Sequence, residues 1–308
     1  MKAIRNQIQL YLLVLLAWPA IGQAQYTFTT NSGVITITGY AGSDRILVIP
    51  GTTNGYPVTI LGPTAFFGRT SLTNLTIPNT VTNIGSYTFD GCSRLQTVTL
   101  GTNLSSFGEG AFYGCASLTS LALPNRVASL GNYAFAFCGS LKTMTLGTNL
   151  GAVGEGTFYR CTNLASLTLP ASVTNLGDSV FAYCSNLTGI YFEGNAPGVT
   201  SLSFSPAPNV TGYYLAGSTG WSALATLIPL APWLPQAQTR DGQFGVQSNR
   251  FGFNLFWASG QTAVVEACTN LAHPVWLAVQ TNTLTTGTAY FSEPRTNYLN
   301  RFYRVRSP

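Results

Sequence analysis

The chain has 308 residues, of which 45% are hydrophobic and only 7% are charged. This length and apolar content allow a sizeable core, which excludes an intrinsically disordered protein. The charged fraction is about a quarter of the usual globular value, and Thr, Asn, Ser and Gly supply most of the polar surface. General acid–base catalysis has few candidate groups, because the chain contains one histidine, His273, and nine carboxylates. The composition therefore disfavours an enzyme.

The first residues have the pattern of a secretory leader. Two basic side chains, Lys2 and Arg5, precede the apolar segment 10–18, and a small-residue cleavage site follows at 22–24. We therefore predict a signal peptide over residues 1–24 and export of the rest of the chain.

The remaining sequence predicts a water-soluble product that is either secreted or held at the cell surface. The other apolar stretch, residues 223–234, is shorter than the roughly 20 residues of a membrane helix and is interrupted by prolines. Without the two basic leader residues the formal charge falls from +5 to +3. Six cations and six carboxylates cancel between residues 25 and 236, so the positive excess lies in the C-terminal segment.

Phenylalanine recurs at a fixed 23-residue interval, which is the strongest pattern in the chain. The phenylalanines are Phe66, Phe89, Phe112, Phe135, Phe158 and Phe181. Further apolar columns keep the same interval, among them Leu72, Leu95, Leu118, Leu141, Leu164 and Leu187, and also Leu75, Val98, Leu121, Met144, Leu167 and Ile190. A period kept over more than a hundred residues indicates a repeat architecture.

Each unit reads L-x-x-L-x-L/I, which predicts a short strand whose alternate residues face inward. A single unit cannot bury its apolar face, so neighbours are expected to stack as parallel rungs about 4.8 Å apart around a shared core. The predicted fold is mainly β, a solenoid with 23-residue rungs. A glycine column at Gly85, Gly108, Gly131, Gly154 and Gly177 marks a sharp turn, where we expect positive φ.

A second, 46-residue period lies within the first. The residue after each strand alternates between proline and glycine in the order Pro78, Gly101, Pro124, Gly147 and Pro170. The position three residues before each phenylalanine reads Ser86, Glu109, Asn132, Glu155 and Asp178. This alternation indicates that the units were copied in pairs.

The segment LTIPNTVTNIGSYTFDGC at residues 75–92 resembles the BspA-type leucine-rich repeats of bacterial surface proteins. Residues 49–58 resemble that family's longer first repeat, and residues 213–221 resemble its terminal cap. The domains that the resemblance implies are an N-terminal cap over 25–57, leucine-rich repeats over 58–192, and a C-terminal cap and linker over 193–236. It also implies a bacterial extracellular binding or adhesion scaffold rather than an enzyme.

The outward positions of the predicted strands carry small polar side chains with one nearby charge. Threonine suits an exposed strand, and a flat hydroxyl-rich face also allows binding through many weak contacts. We predict that this strand face binds an extracellular protein or polysaccharide, without cofactor, metal or nucleic acid, and that the protein is a monomer. Its residues are Asn74, Thr76, Thr97, Thr99, Ser120, Lys142, Thr143, Thr145, Ser166, Thr168 and Tyr191.

Two alternative hypotheses remain open. In the first, tyrosines beside the phenylalanines stack on sugars and make a carbohydrate-binding protein, although such rings also pack between rungs. These tyrosines are Tyr87, Tyr113, Tyr133 and Tyr159. In the second, Glu155 and Asp178, which share one column on adjacent rungs, form the carboxylate pair of a retaining glycoside hydrolase. Acids on a solvated turn are the simpler interpretation of that pair.

Five of the six cysteines occupy one column, three residues after the phenylalanines. They are Cys92, Cys115, Cys138, Cys161 and Cys184, and Arg69 fills the same position in the first repeat. We predict a ladder of buried free thiols, with one or two disulfides between neighbouring rungs as the alternative. No metal site is predicted, because the column has neither C-x-x-C spacing nor a nearby histidine.

The 23-residue period is lost after Trp233, and residues 237–308 predict a small β-sandwich with alternating apolar residues at 251–257. The sequence RFYRV at 301–305 resembles the end of C-terminal β-sandwich modules on secreted bacterial proteins. We interpret its arginines as protection of an edge strand, with attachment to the cell surface as the alternative. His273 precedes a proline in a predicted loop and has no sequence partner for a catalytic triad or a metal.

Overall fold

The computed structural model describes residues 25–206, 209–239, 241–248, 250–294 and 301–308, so the predicted signal peptide lies outside the described residues. The chain forms two compact units, one of residues up to 212 with 219–230, the other of residues 213–218 and 231–308. The fold is mainly β, as predicted. In the described part of the chain the only helix is a short 3-10 helix, Leu224–Thr226, and no helix there is long and apolar enough to cross a membrane.

The first unit contains sixteen strands in the described residues up to 206. They are β1 (Tyr26–Asn31), β2 (Val34–Tyr40), β3 (Ile46–Val48), β4 (Thr52–Thr53), β5 (Tyr56–Leu61), β6 (Asn74–Thr76), β7 (Asn83–Ile84), β8 (Thr97–Thr99), β9 (Ser106–Phe107), β10 (Ser120–Ala122), β11 (Ser129–Leu130), β12 (Thr143–Thr145), β13 (Ala152–Val153), β14 (Ser166–Leu169), β15 (Asn175–Leu176) and β16 (Gly189–Phe192). Two further strands, β17 (Thr211–Tyr214) and β18 (Leu230–Pro232), lie where the chain passes between the units.

Two parallel ladders of strands run along the first unit. One contains β2, β5, β7, β9, β11, β13 and β15, and the antiparallel strand β1 precedes β2. The other consists of the groups β3–β6–β8, β10–β12 and β14–β16. Partners in successive rungs are related by the 23-residue period, as Leu121 opposite Met144 shows. The sequence period is therefore the distance along the chain from one rung to the next.

The core is a row of stacked phenylalanine rings. Adjacent ring centroids lie 5.0 to 6.0 Å apart from Phe66 to the end of the row, and the rings tilt by 29° or less. The six predicted phenylalanines are fully buried. A seventh, Phe204, continues the row at 5.5 Å from Phe181. The stacked core thus extends beyond residue 192, where the predicted repeats end.

The glycine column is explained by close contact between rungs rather than by positive φ. None of its five members has positive φ, so that expectation is wrong. A Cβ atom added at Gly108 would lie 2.5 Å from the carbonyl carbon of Gly85, and one at Gly131 would lie 2.5 Å from that of Gly108. Backbone atoms of the preceding rung occupy the space that a side chain needs, and therefore only glycine fits.

The 46-residue period has a steric basis. The residue two positions before the phenylalanine has a left-handed φ of 54–56° in six rungs, at Thr64, Tyr87, Gly110, Tyr133, Gly156 and Ser179. A Cβ atom added at Gly110 would lie 2.4 Å from the ring of Tyr87, and one at Gly156 would lie 2.2 Å from the ring of Tyr133. Each tyrosine ring therefore lies on the glycine of the next rung, and two kinds of rung alternate.

Between residue 236 and the C-terminus, the described residues of the second unit form seven antiparallel strands, most of them longer than those of the solenoid. They are β19 (Gln236–Gln238), β20 (Gly245–Gln247), β21 (Arg250–Phe256), β22 (Thr262–Cys268), β23 (Leu277–Thr283), β24 (Thr288–Pro294) and β25 (Phe302–Arg306). One sheet has the order β19–β21–β20 with β24 also paired to β21, and the other has the order β23–β22–β25. Phe251 of the first sheet stacks on Tyr303 of the second at 4.9 Å, so the two sheets form a small sandwich.

The arginines of the C-terminal strand form ion pairs within the second unit. Arg304 donates to Glu266 at 2.6 Å and Arg306 donates to the same carboxylate at 2.7 Å. Arg301 pairs with Glu293. Glu266 is only 6% exposed, and the bonds from Arg306 and Arg304 hold its pKa below the usual range. Arg304 and Arg306 therefore stabilise the pairing of β25 with β22, and Arg301 binds a carboxylate of β24.

Candidate binding surfaces

The eleven predicted binding residues lie on one face of the ladder that contains β6, β8, β10, β12, β14 and β16. Register places them side by side in successive rungs: Asn74 is opposite Thr97, and Thr168 is opposite Tyr191. Seven of them are exposed, namely Thr97, Thr99, Ser120, Lys142, Thr143, Thr145 and Ser166. The others, Asn74, Thr76, Thr168 and Tyr191, are half-buried.

Most hydroxyls of this strand face are open to a ligand. The Nδ2 atom of Asn74 donates to the hydroxyl of Thr97 at 2.6 Å. The hydroxyls of Thr99, Thr143 and Thr145 have no hydrogen-bond partner among the described residues. The alternate residues of the same strands are buried, or partly buried at Val98, which holds each hydroxyl at a fixed height above the core. The face is therefore a preformed array of hydroxyl donors and acceptors.

The strand face begins with two apolar side chains that the sequence reasoning missed. Ile46 and Val48 on β3 lie opposite Asn74 and Thr76, and they are 71% and 65% exposed. Ile46 precedes Asn74 by more than the 23-residue period, because the first repeat is longer than the others. A search that allowed this longer repeat would have found them. They add an apolar end to a surface that is otherwise polar.

The two carboxylates of the hydrolase hypothesis are bonded to hydroxyls of neighbouring rungs. Glu155 accepts a hydrogen bond from Tyr133, and Asp178 accepts one from Thr200. A third pair repeats the arrangement, with the hydroxyl of Tyr87 donating to Glu109 at 2.5 Å. The bonds to Glu109 and Glu155 raise the pKa of each tyrosine to about 12. These acids therefore link the surface turns of adjacent rungs.

The four tyrosines of the carbohydrate hypothesis separate into two environments. Tyr87 and Tyr133 are bonded to glutamates and lie on the glycines of the next rungs. Tyr113 and Tyr159 instead join a row of rings on another part of the surface, which we call the aromatic strip. Its members, one from each of four successive rungs, are Tyr113, Phe137, Tyr159 and Tyr183.

Neighbouring rings of the aromatic strip lie 5.1 to 5.4 Å apart and are tilted by 50° to 69°. Phe137 is 36% exposed and Tyr183 is 46% exposed. The guanidinium carbon of Arg160 lies 5.6 Å, 5.9 Å and 5.1 Å from the rings of Phe137, Tyr159 and Tyr183. The strip is thus an exposed aromatic surface that carries a cation.

The cysteine column forms the predicted ladder of free, buried thiols. Each thiol donates to the carbonyl of a phenylalanine one rung back, as Cys115 does to Phe89 at 3.3 Å. Burial raises the pKa of Cys138 to about 12, so the thiolate form is disfavoured. Within the described residues, no three side chains of His, Cys, Asp or Glu are grouped so that they could hold a metal ion.

The repeats match a known family model. Six copies of the BspA-type leucine-rich repeat region align with residues 59–210. A similar structure is the crystal structure of a leucine-rich repeat protein from T. pallidum. The two sequences are 31% identical, the aligned region covers 62% of this chain and 85% of the T. pallidum chain, and the TM-score is 0.54. The chain belongs to the BspA-type leucine-rich repeat family. Like other members, it presents a repeat scaffold.

A second similar structure is that of a leucine-rich cell surface protein from Faecalibacterium prausnitzii. The two sequences are 31% identical, and the aligned region covers 57% of this chain and 55% of the F. prausnitzii chain, with a TM-score of 0.45. Comparison with curated proteins finds no match. The family match ends at residue 210, so the resemblance of residues 301–305 to modules of secreted proteins stays a prediction.

Proposed function

We propose that this protein is a secreted or surface-displayed scaffold that binds an extracellular protein through its strand face and catalyses no reaction. The observation that carries the proposal is the open hydroxyl array of the strand face, which has a rigid backing and a single charge, Lys142. Ile46 and Val48 supply the apolar anchor that protein interfaces use beside polar contacts.

The predicted leader supports export, and the chemistry of the repeats supports a role without catalysis. The carboxylates Glu155 and Asp178 are committed to hydroxyl hydrogen bonds. The single histidine, His273, lies in the second unit and is exposed. Binding spread over several rungs suits a surface whose groups are individually weak but regularly placed.

The proposal is tested with the mature chain on an array of purified extracellular proteins. We expect at least one protein to bind, and the double variant T99R/T145R to weaken that binding at least tenfold, about 1.4 kcal/mol, because it adds bulk and charge to the centre of the face. The matched control is S129R/N175R, which alters outward residues of the other ladder. The proposal fails if no protein binds, or if both double variants weaken binding equally.

A further inference from the structure

The aromatic strip contains bulky residues at backbone positions that favour glycine. Two residues after the phenylalanine, the first three rungs have Gly68, Gly91 and Gly114, all with left-handed φ of 66–70°. The next three rungs keep the left-handed backbone at this position. They replace glycine by Phe137, Arg160 and Tyr183, with φ of 61°, 58° and 61°.

A left-handed φ is unfavourable for aromatic and other bulky side chains, and such outliers are concentrated at functional sites. Burial does not compensate for the strain here, because Phe137 and Tyr183 are 36% and 46% exposed and Arg160 is also exposed. The first three rungs show that the fold accepts glycine at this position. The solenoid therefore does not need these three side chains, and a role at the surface explains them better than a role in packing.

The polar groups of the aromatic strip lack side-chain partners in the part of the chain that the structure describes. Arg160 lies on three rings and forms no ion pair with any described residue. The hydroxyls of Tyr113, Tyr159 and Tyr183 make no hydrogen bond among the described residues either. A guanidinium presents paired N–H groups that match a carboxylate, and the surrounding rings reduce its hydration.

We propose that the aromatic strip and Arg160 bind a linear polysaccharide that carries carboxylate groups. One ring from each of four successive rungs makes a continuous row, which suits an extended polymer lying across the rungs. Arg160 would hold a carboxylate by paired hydrogen bonds, while the tyrosine hydroxyls bond to sugar hydroxyls. Anchors of protein interfaces normally enter a well-packed pocket, and a row of tilted rings supplies none. This site is separate from the strand face and does not depend on the proposed protein partner.

The test measures calorimetric binding of the mature chain to polygalacturonate and to alginate, with methyl-esterified polygalacturonate as the uncharged comparison. We expect one of the acidic polymers to bind and the ester to bind at least tenfold more weakly. R160G, F137G and Y183G each restore the residue of the first three rungs, so each should retain the folded structure while R160G loses at least tenfold in affinity. The thermal midpoint of each variant checks the fold.

A matched pair of charge variants separates this site from general electrostatic attraction. R160Q should weaken binding at least tenfold, whereas R126Q, at an exposed arginine that is not part of the aromatic strip, should leave binding unchanged. Equal losses in R160Q and R126Q would overturn the proposal, as would equal affinity for the acid and its ester. Absence of binding to both acidic polymers, or binding of a protein alone through these residues, would also overturn it.

Discussion

The two units both have a core of buried apolar side chains but use different kinds of contact. In the solenoid, core side chains such as Phe135 meet the equivalent residue one rung away. The ring stack and the backbone pairing recur along the repeats, and a thiol hydrogen bond recurs in the five rungs that carry a cysteine. In the second unit each contact occurs once, between strands such as β22 and β25 that lie about 40 residues apart, and a pair of arginines on Glu266 joins them. Repetition distributes stability over many equal contacts, whereas the sandwich concentrates it in a few.

The largest expected effect comes from breaking the ring stack in the middle of the solenoid. Phe135 is fully buried and lies 5.7 Å and 6.0 Å from the rings on either side. F135A should reduce the free energy of unfolding by about 3–5 kcal/mol, because it removes the transfer energy of the ring and leaves a cavity. Urea unfolding measures the loss. The control F137A, at an exposed ring, should change the free energy of unfolding by less than about 0.5 kcal/mol. Equal losses in F135A and F137A would contradict a core built on the stacked phenylalanines.

The next effect is a pH dependence confined to the second unit. The folded-state pKa of Glu266 lies below the ordinary value of 4.5, so its bonds to Arg306 and Arg304 stabilise the unit fully above that value. This stability is lost as the pH falls through the folded-state pKa. The protection factors of the β22 amides, which correct for the intrinsic pH dependence of exchange, should therefore fall at acid pH, while those of β10, β12 and β14 stay constant.

The variant E266Q supplies the control for this pH dependence. It should lower the protection of β22 at neutral pH and remove the change on acidification, because the titrating carboxylate is absent. Acid loss of protection in β22 that persists in E266Q would assign the pH dependence to another group.

The reactivity of the cysteine thiols tests how rarely the core of the solenoid opens. The pKa values of Cys92, Cys138 and Cys184 are about 12, so at pH 8 the thiolate fraction is about one in ten thousand even before access is considered. The ladder thiols should remain unmodified by a disulfide reagent in the native protein and react fully in denaturant. Mass spectrometry resolves each site. Rapid native modification of Cys138 would show that the central rungs open more readily than a continuous core permits.

The smallest effect concerns the hydroxyl bonds between surface turns. Y133F should cost about 0.5–1 kcal/mol, since it deletes the hydrogen bond to Glu155 and leaves the ring on Gly156 in place. It should also remove one tyrosine of pKa about 12 from the spectrophotometric titration. Y159F is the matched control and should change neither quantity. A loss as large as that of F135A would mean that Glu155 becomes an unsatisfied buried group, contrary to its exposure.

The regular part of the fold could be predicted from sequence because each rung repeats the same local rules. The period predicts the strands, the phenylalanine core and the thiol column, all of which the structure contains. Features that depart from the period could not be found in this way. Ile46 and Val48 are displaced by the longer first repeat. Phe204 keeps the 23-residue interval from Phe181, but the other columns of its repeat change residue type and obscure it.

The aromatic strip escaped prediction for a related reason. Tyr113 and Tyr159 occupy the position after the phenylalanine, but Phe137 and Tyr183 occupy the next one, so no single column contains all four rings. They meet because a left-handed backbone redirects the second pair, and φ is not visible in a residue list. The pairing of Glu266 with Arg304 and Arg306 is likewise invisible, since no repeat relates these residues.

The rungs of the solenoid are joined by backbone hydrogen bonds that point from one rung to the next, such as those from Phe112 to Ala134 and from Phe135 to Thr157. A tensile force applied along the stack loads these bonds in series. The molecule should then extend by peeling, and each detached 23-residue rung releases at most about 80 Å of chain. Such a stack should absorb mechanical work in steps, and the total work should increase with the number of rungs.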